Sequence, residues 1–392
     1  MKIKYIIVIF IVMFLSTGCS DYRELNNLGI VTAISIDKTE DGYKTTMQFI
    51  NTQKADSTNI EFSSFITIEG YGKTIKETAN EINLQSSKSL YLSHLSLVII
   101  DEKIAKDDIE EVLDILLRGQ ISRTDFNILI SKNNKASDIL QIFTAMNNIP
   151  ATKIVDTIKE DFLSNSNTIN LTFLDLLKDL AKKGNDITIP SISIIGNKVD
   201  GEDNKNLNTS NLFAQLTLSD IGIFDGKELI DYITNDETKY FNILKDEFQQ
   251  GTVTYKCVDD NYMTIMIDES SVEIKPVFEN DKFKTNINLS GSISIYENNC
   301  KIKDNIEKLI EDDINNQIKN NINSLINKTK DLKTDIFGFG HNFYLNNYKT
   351  YQKYKDDWKN IYSEMEINII TNYKLITNIN DNKNIVGDLN EN

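Results

Sequence analysis

Hydrophobic and polar residues alternate along much of the first third of the chain, and a two-residue period of this kind predicts β-strands. Residues 30–36 alternate before the turn signal Asp41-Gly42, and residues 43–49 alternate after it. A short turn between two alternating runs is typical of a hairpin. Residues 29–50 are therefore predicted to form a β-hairpin.

The pattern that follows mixes strand and helix periods. Residues 62–69, 90–100 and 126–130 are apolar or alternating, which predicts three more strands. Helical patterns at 73–83 and 109–117 lie between them. This order predicts a mixed sheet with helices packed on it, an α+β arrangement.

Domain boundaries are predicted from changes in composition. Residues 196–211 are polar, Asn-rich and charged, with two glycines, and this composition is typical of a linker. We therefore expect an N-terminal α+β domain at 19–195, a middle domain at 212–270 and a C-terminal domain at 271–380. Residues 381–392 are predicted to be a disordered tail.

The C-terminal domain is predicted to be an antiparallel sheet packed against one long helix. Residues 272–278 and 283–295 alternate as strands, and a helix of about 26 residues follows. Its apolar stripe is Ile306, Leu309, Ile310, Ile314, Ile318, Ile322, Leu325 and Ile326. The stripe could be an interaction seam, but its width favours packing on the preceding strands.

The N-terminus has the order of a secretory signal. Lys2 and Lys4 precede an apolar run from Tyr5 to Leu15, and Ser16-Thr17-Gly18-Cys19 follows it. The run is too short for a membrane-spanning helix, which needs about 20 residues. Small residues before a cysteine match a bacterial lipobox, so we expect residues 1–18 to be removed between Gly18 and Cys19, and Cys19 to be lipidated. The alternative is an ordinary signal peptide.

The charge of the chain argues against nucleic acid as a partner. The 392 residues carry 42 Lys plus Arg against 58 Asp plus Glu, a net charge of −16. Loss of residues 1–18 removes two lysines and no acid, which gives −18. Such a body is repelled by phosphate backbones and by anionic lipid. An acyl anchor would therefore attach it to a membrane while the folded part stays away from the bilayer surface.

Few residues suit catalysis or metal binding. The chain has two His, one Trp and three Cys. His94 and His341 are far apart in sequence and lack neighbouring Glu or Cys, which leaves no metal site or nucleophile–base set. We expect no cofactor and no enzymatic activity. Cys257 and Cys300 could form a disulfide or remain two buried thiols, and spacing does not decide between them.

Four short motifs are better explained by local structure than by ligand binding. Gly72-Lys73-Thr74 ends like a phosphate loop, but the required earlier glycine is Thr67. Gly338-Phe339-Gly340 lacks the third glycine of a dinucleotide fingerprint. The acidic run at 200–203 misses the calcium-loop spacing. Arg118 and Arg123 could clamp a carboxylate or donate hydrogen bonds to free helix carbonyls. The second explanation is favoured.

Several of these stretches together resemble one family. The lipobox is followed by residues 21–37, which read DYRELNNLGIVTAISID, and then by Glu69-Gly70 with Thr74-Ile75. Further on come residues 90–95, Arg118 with Arg123, residues 335–340 and Trp358, in the same order. In this order, over roughly residues 1–378, the chain resembles the Ger(x)C family, the lipoprotein C subunits of bacterial spore germinant receptors. It departs from that family at Ser20, where Trp is usual, and in having Ser16 where the lipobox usually has leucine.

The resemblance implies a three-domain α+β protein that is lipid-anchored at the outer face of the spore inner membrane. It implies a complex with the germinant receptor A and B subunits, and a non-enzymatic role in nutrient-triggered germination. The alternative is a lipid-anchored solute-binding protein of a transporter, which would have two α/β lobes around a ligand cleft.

Overall fold

The computed structural model describes residues 27–51, 63–119, 121, 123–257, 260–300 and 306–376. In these residues the chain forms two sheets, each with helices packed against it. We call them the first and second units. The α+β class predicted from the sequence is confirmed.

The first unit contains a nine-stranded sheet. Its strands are β1 (Leu28–Thr39), β2 (Gly42–Ile50), β3 (Phe65–Gly72), β4 (Ser89–Tyr91), β5 (Leu97–Asp101), β6 (Asn127–Ser131), β7 (Thr188–Gly196), β8 (Ala214–Asp225) and β9 (Glu228–Ile233). Its helices are α1 (Ile75–Gln85), α2 (Glu102–Asp107), α3 (Glu110–Arg118), α4 (Ala136–Gln141), α5 (Pro150–Ser164), α6 (Phe173–Ala181), α7 (Lys198–Gly201) and α8 (Asn235–Leu244). The strand order is β3-β2-β1-β5-β6-β7-β8-β9, and β4 pairs with the start of β1.

The centre of this sheet is parallel and its edges are antiparallel. β1, β5, β6 and β7 run in one direction, whereas β2, β3, β8 and β9 pair antiparallel with their neighbours. All five residues of β5 are buried because helices cover both faces of the sheet. The predicted hairpin is confirmed: β1 and β2 pair across the Asp41-Gly42 turn, with Ile36 opposite Thr45.

The second unit has four strands and four helices. They are β10 (Gly251–Lys256), β11 (Tyr262–Glu279), β12 (Lys282–Asn298), α9 (Ile306–Asp331), α10 (Phe339–Asn346), α11 (Tyr348–Tyr354), α12 (Trp358–Glu364) and β13 (Glu366–Leu375). The apolar stripe of α9 packs into the core as predicted, since Ile310, Ile314, Ile318 and Ile322 have no solvent exposure. Leu309 is the exception and is half exposed.

One strand pairing differs from the prediction of an antiparallel sheet. β10, β11 and β12 pair antiparallel, but β13 runs parallel to β12, with Ile287 opposite Ile369. Parallel neighbours need a long crossover connection, and α9 to α12 provide it. The alternation of polar and apolar residues is the same for both pairing directions, so the sequence pattern could not distinguish them.

The boundaries between folded units in the structure differ from those predicted from the composition. Residues 214–233 continue the first sheet, because β8 pairs with β7, while residues 251–270 belong to the second sheet, so the span 212–270 is not a separate middle domain. Residues 196–211 are a folded connection within the first unit rather than a linker. The buried Asn206 amide donates to the carbonyls of Phe143 and Ala214, which fixes this polar segment in place.

Cys257 and Cys300 form a disulfide, with Cα atoms 6.1 Å apart. The bond joins the residue after β10 to a residue just beyond β12, at one end of the second sheet. Within the described residues, no helix combines the length and the apolar character that crossing a bilayer requires.

Candidate functional site: the junction between the two sheets

The two units meet where the segment between α9 and α10 contacts the residues just before β7. Asp186 N–H donates to the Asp335 carbonyl at 2.9 Å, and Asp335 N–H donates to Asp186 Oδ2 at 2.8 Å. Two residues separated by 149 positions are thus joined by reciprocal hydrogen bonds. We call this region the junction.

The Asp335 carboxylate is buried at the centre of the junction, where its side chain is 2% exposed. It accepts hydrogen bonds from the backbone N–H groups of Phe339 and Gly340, at 3.0 and 2.7 Å, and from Trp358 Nε1 at 3.0 Å. Phe339 and Gly340 are the first two residues of α10, so the carboxylate satisfies free N–H groups at the positive end of that helix. Gly338, in a left-handed conformation at φ 72°, supplies the turn immediately before the helix.

Gly340 lets the backbones of the two units approach closely. A Cβ atom at this position would lie 2.5 Å from the Gly184 carbonyl oxygen and 2.5 Å from Trp358 Nε1. Both distances are far inside van der Waals contact. Glycine is therefore required here by packing between the units rather than by a ligand.

Burial raises the pKa of Asp335 to about 6, and the negative charge of Asp186 acts in the same direction. The three hydrogen bonds lower the pKa but do not cancel the loss of hydration. Burial likewise raises the pKa of Asp186, opposed in part by the positive charge of Lys359. In the described part of the chain, neither carboxylate forms an ion pair of its own. The junction thus holds two acids whose direct partners are hydrogen-bond donors, and the charge of Lys359 acts on Asp186 without forming a salt bridge.

Aromatic side chains enclose the junction. The Trp358 ring lies 5.7 Å from Phe283 and 5.6 Å from Phe343, measured between centroids. The buried Tyr362 hydroxyl is 2.6 Å from the Thr329 hydroxyl of α9. Both carboxylate oxygens of Asp335 accept hydrogen bonds and the residue is 2% exposed, so the junction holds the two sheets together.

The predicted lipidation residue Cys19 and the cleavage position Gly18–Cys19 lie outside the described residues. Of the family-like stretches, residues 335–340 and Trp358 converge at the junction, whereas Glu69-Gly70 and residues 90–95 lie elsewhere in the first unit. Asp186 and Gly184, their partners, were not singled out by the sequence. A lone Gly-Asn-Asp turn carries no signal that it will face a segment about 150 residues away.

The other sequence motifs have structural roles. Gly70 and Gly72 pack against α1, where a Cβ at Gly70 would be 2.2 Å from the Thr78 carbonyl, and no space for a phosphate remains. Arg118 and Arg123 do not bond helix carbonyls as favoured; each pairs on the surface with a nearby acid, Asp114 and Asp125.

The two histidines lie in different units. His94 is exposed beside Tyr91, and the ring of the half-buried His341 stacks on Tyr344. No cluster of three or more His, Cys, Asp or Glu side chains suited to a metal ion occurs in the part of the chain that the structure describes.

Two family models together match most of the chain, and the second begins within β8 of the first unit. Residues 21–194 match the model of the spore germination protein N-terminal domain, and residues 219–378 match that of the spore germination B3/GerAC-like C-terminal domain. The chain belongs to the Ger(x)C family of spore germination proteins. The second match ends just beyond β13, and it contains the whole Asp335–Trp358 part of the junction.

Individual relatives agree over nearly the whole length of this Ger(x)C protein. Spore germination protein KC of Bacillus subtilis (strain 168) is 26% identical over 359 residues, which covers 88% of each chain. Spore germination protein B3 of the same organism is 22% identical over 94% of this chain and 96% of its own. The crystal structure of the GerBC protein shares the fold, with a TM-score of 0.57 at 20% identity over 88% of this chain and 97% of that chain.

Proposed function

We propose that this protein is the lipid-anchored C subunit of a spore germinant receptor and that it acts through contacts with the A and B subunits in nutrient-triggered germination. The observation that carries the proposal is the match of both family domains, in order, across residues 21–378. Relatives named for spore germination match the same length of chain.

The position of the predicted anchor supports a membrane-attached body. Cys19 is eight residues before Asn27, where the described chain begins, so the anchor would be close in sequence to the first strand. Two or three acyl chains on Cys19 would hold the protein stably, where one would give marginal binding. We propose the outer face of the spore inner membrane as its location, with Gly18–Cys19 as the cleavage position.

The transporter alternative fits the fold less well. A solute-binding protein would have two α/β lobes that close about a hinge. Here the second unit is a four-stranded sheet with one long helix, and buried residues of both units form one continuous cluster that includes Ile34, Phe241 and Tyr373. A shared core opposes the independent motion of two lobes.

The anchor is tested by replacing Cys19 in the full chain. Cys19→Ala should abolish incorporation of a palmitate analogue and release the protein from the spore membrane fraction, because it removes the proposed acceptor thiol and the other two cysteines are joined in a disulfide. Ser20→Ala is the matched control, next to the thiol but without a part in the chemistry. Labelling of Cys19→Ala at the level of the control would contradict the proposed lipid site.

The assembly is tested by purifying the tagged protein from detergent-solubilised spore membranes. The receptor A and B subunits should be recovered in stoichiometric amounts and should be missing from a preparation of an untagged strain. Recovery of permease components in place of the A and B subunits would contradict the receptor assignment and favour the transporter alternative.

A further inference from the structure

A cleft of about 310 Å³ opens beside the junction, between the two units. Its walls come from the α6–β7 connection, from the end of α8, from β11 and from the segment at 337–342. Small-molecule sites commonly have volumes of roughly 300–1,000 Å³ and lie preferentially between domains. The cleft therefore has the size and the position of a small-molecule site.

A second cavity of about 360 Å³ adjoins the first. Lys182, Lys245 and Glu247 line both cavities and so stand at their border. Apolar walls face these charges: Val272, Ile274 and Phe337 in the first cavity. The second contains Phe162, Ile169, Leu171 and Phe241. The first cavity thus combines charged and amide side chains with a smaller apolar surface, and the second adds a larger apolar wall. Polar groups beside apolar side chains suit a small amphipathic ligand.

Two lysines and two acids, Asp246 and Glu247, line the first cavity, and the lysines differ in their partners. Lys182 pairs with Asp179 at 2.6 Å, and Lys178 in the second cavity pairs with Asp175 at 2.8 Å. Lys245, by contrast, has no carboxylate in salt-bridge contact among the described residues. The adjacent Asp246 also lines the first cavity without forming a salt bridge to Lys245. Burial raises the pKa of the next acid, Glu247, even though Lys245 and Lys182 oppose the shift.

His341 lines the same cleft as Lys182 and Lys245. Burial lowers the pKa of His341, and the charges of Lys182 and Lys245 lower it further, while a backbone hydrogen bond with Lys183 and the charge of Asp179 act in the opposite direction. Two ammonium groups thus act on one imidazole at the wall of a cleft, in a chain whose net charge is −16. An anion placed between them would relieve this repulsion.

We propose that the cleft binds a small organic carboxylate with an apolar substituent. The carboxylate lies between Lys245 and Lys182, next to His341, and the substituent lies against Val272, Ile274 and Phe337. Because Lys182 belongs to the first unit and Phe337 to the second, the ligand bridges the two units beside the junction. This inference goes beyond the proposed receptor role and does not depend on it.

The two histidines provide an internal control for the test. The full chain, in detergent and with 13C-labelled histidine Cε1 positions, should give one signal for His341 and one for His94, which lies outside the cleft. Titration with sodium butyrate at constant ionic strength should shift the His341 signal saturably, with a Kd on the order of 1 mM, and leave His94 unchanged. Butyramide, the neutral analogue of butyrate, should shift neither signal.

Variants locate the site. Lys245→Gln should weaken butyrate binding about tenfold or more, because it removes the ammonium without a carboxylate partner. Lys178→Gln is the matched control, since it removes a paired lysine that lines only the second cavity. This variant should bind butyrate with the affinity of the parent. Equal thermal midpoints of both variants without ligand would show that they fold.

Three results would each overturn the proposal. These are the absence of a saturable His341 shift up to about 20 mM butyrate, an equal response to butyramide, and an unchanged affinity in Lys245→Gln. Equal competition by inorganic phosphate would show a general anion site in place of a carboxylate site, and would overturn the ligand class. Recovery of the A and B subunits is unaffected by any of these outcomes.

Discussion

Replacement of Asp335 by Asn should change how the stability of the protein depends on pH. The pKa of Asp335 rises from 3.8 to about 6 on folding, so between these values the native state binds more protons than the unfolded state. Stability contributed by the protonated form is therefore complete below about pH 4 and is lost as pH rises through 6. A shift of about two pKa units corresponds to about 3 kcal/mol.

The variant adds a second, pH-independent effect. Asn has one carbonyl oxygen, which can accept from Gly340 N–H and Trp358 Nε1, but its amide group then faces the Phe339 N–H. One buried donor without an acceptor costs about 1–3 kcal/mol. Asp335→Asn should thus be less stable than the parent near pH 4. As the pH rises to 7.5, the parent loses the stability contributed by protonated Asp335 and the variant does not, so the difference in unfolding free energy should move by about 3 kcal/mol in favour of the variant.

Urea unfolding of the full chain at several pH values from 4 to 7.5 measures this difference. Asp125→Asn is the control, because Arg123 lowers the pKa of Asp125 on the surface. That carboxylate contributes stability that is lost as pH falls. The difference in unfolding free energy between parent and Asp125→Asn should therefore change with pH in the opposite direction, by less than about 1 kcal/mol. A difference between parent and Asp335→Asn that stays constant across this pH range would refute the assignment of a buried, ionising Asp335.

Three further predictions concern stability. Gly340→Ala should lower the free energy of unfolding by about 1–3 kcal/mol or prevent folding, because its Cβ meets the Gly184 carbonyl oxygen. Gly226→Asn is the control in the same urea assay and should be nearly neutral, because the position is open and its φ is 62°. Reduction of the Cys257–Cys300 bond should cost about 3–4 kcal/mol, and a thermal scan of the double Ser variant should not respond to reductant. Lys359→Gln should change stability by less than about 1 kcal/mol, since its ion pair with Asp225 is on the surface; a larger loss by urea unfolding would mean that this pair contributes to the junction.

Features with a local cause could be predicted from the sequence. The hairpin at 29–50 follows from alternation and one turn, and the long helix follows from an apolar stripe that repeats every three or four residues. Both depend on neighbours within a few positions. The wide stripe was correctly assigned to the core, because only Leu309 among its described side chains is substantially exposed.

Features that depend on distant partners could not be predicted. Residues 196–211 have the composition of a linker, but Asn206 is buried because its amide satisfies two carbonyls and Gly201 fits against Ala214. A single Asn with three hydrogen bonds looks the same in sequence as one in solvent. The role of Asp335 was hidden for the same reason, since its partner Asp186 is 149 residues away.

The junction and the shared core together determine how a ligand in the cleft could act. Buried side chains from both sheets form one cluster, so separating the units would expose apolar surface on each of them and would be costly. Domain closure of the solute-binding kind is therefore disfavoured, and a bound carboxylate would act by stabilising the existing arrangement. The ligand would contact the 337–342 segment, which begins two residues after Asp335. The ligand would therefore act on the start of α10, the helix whose first N–H groups donate to the Asp335 carboxylate.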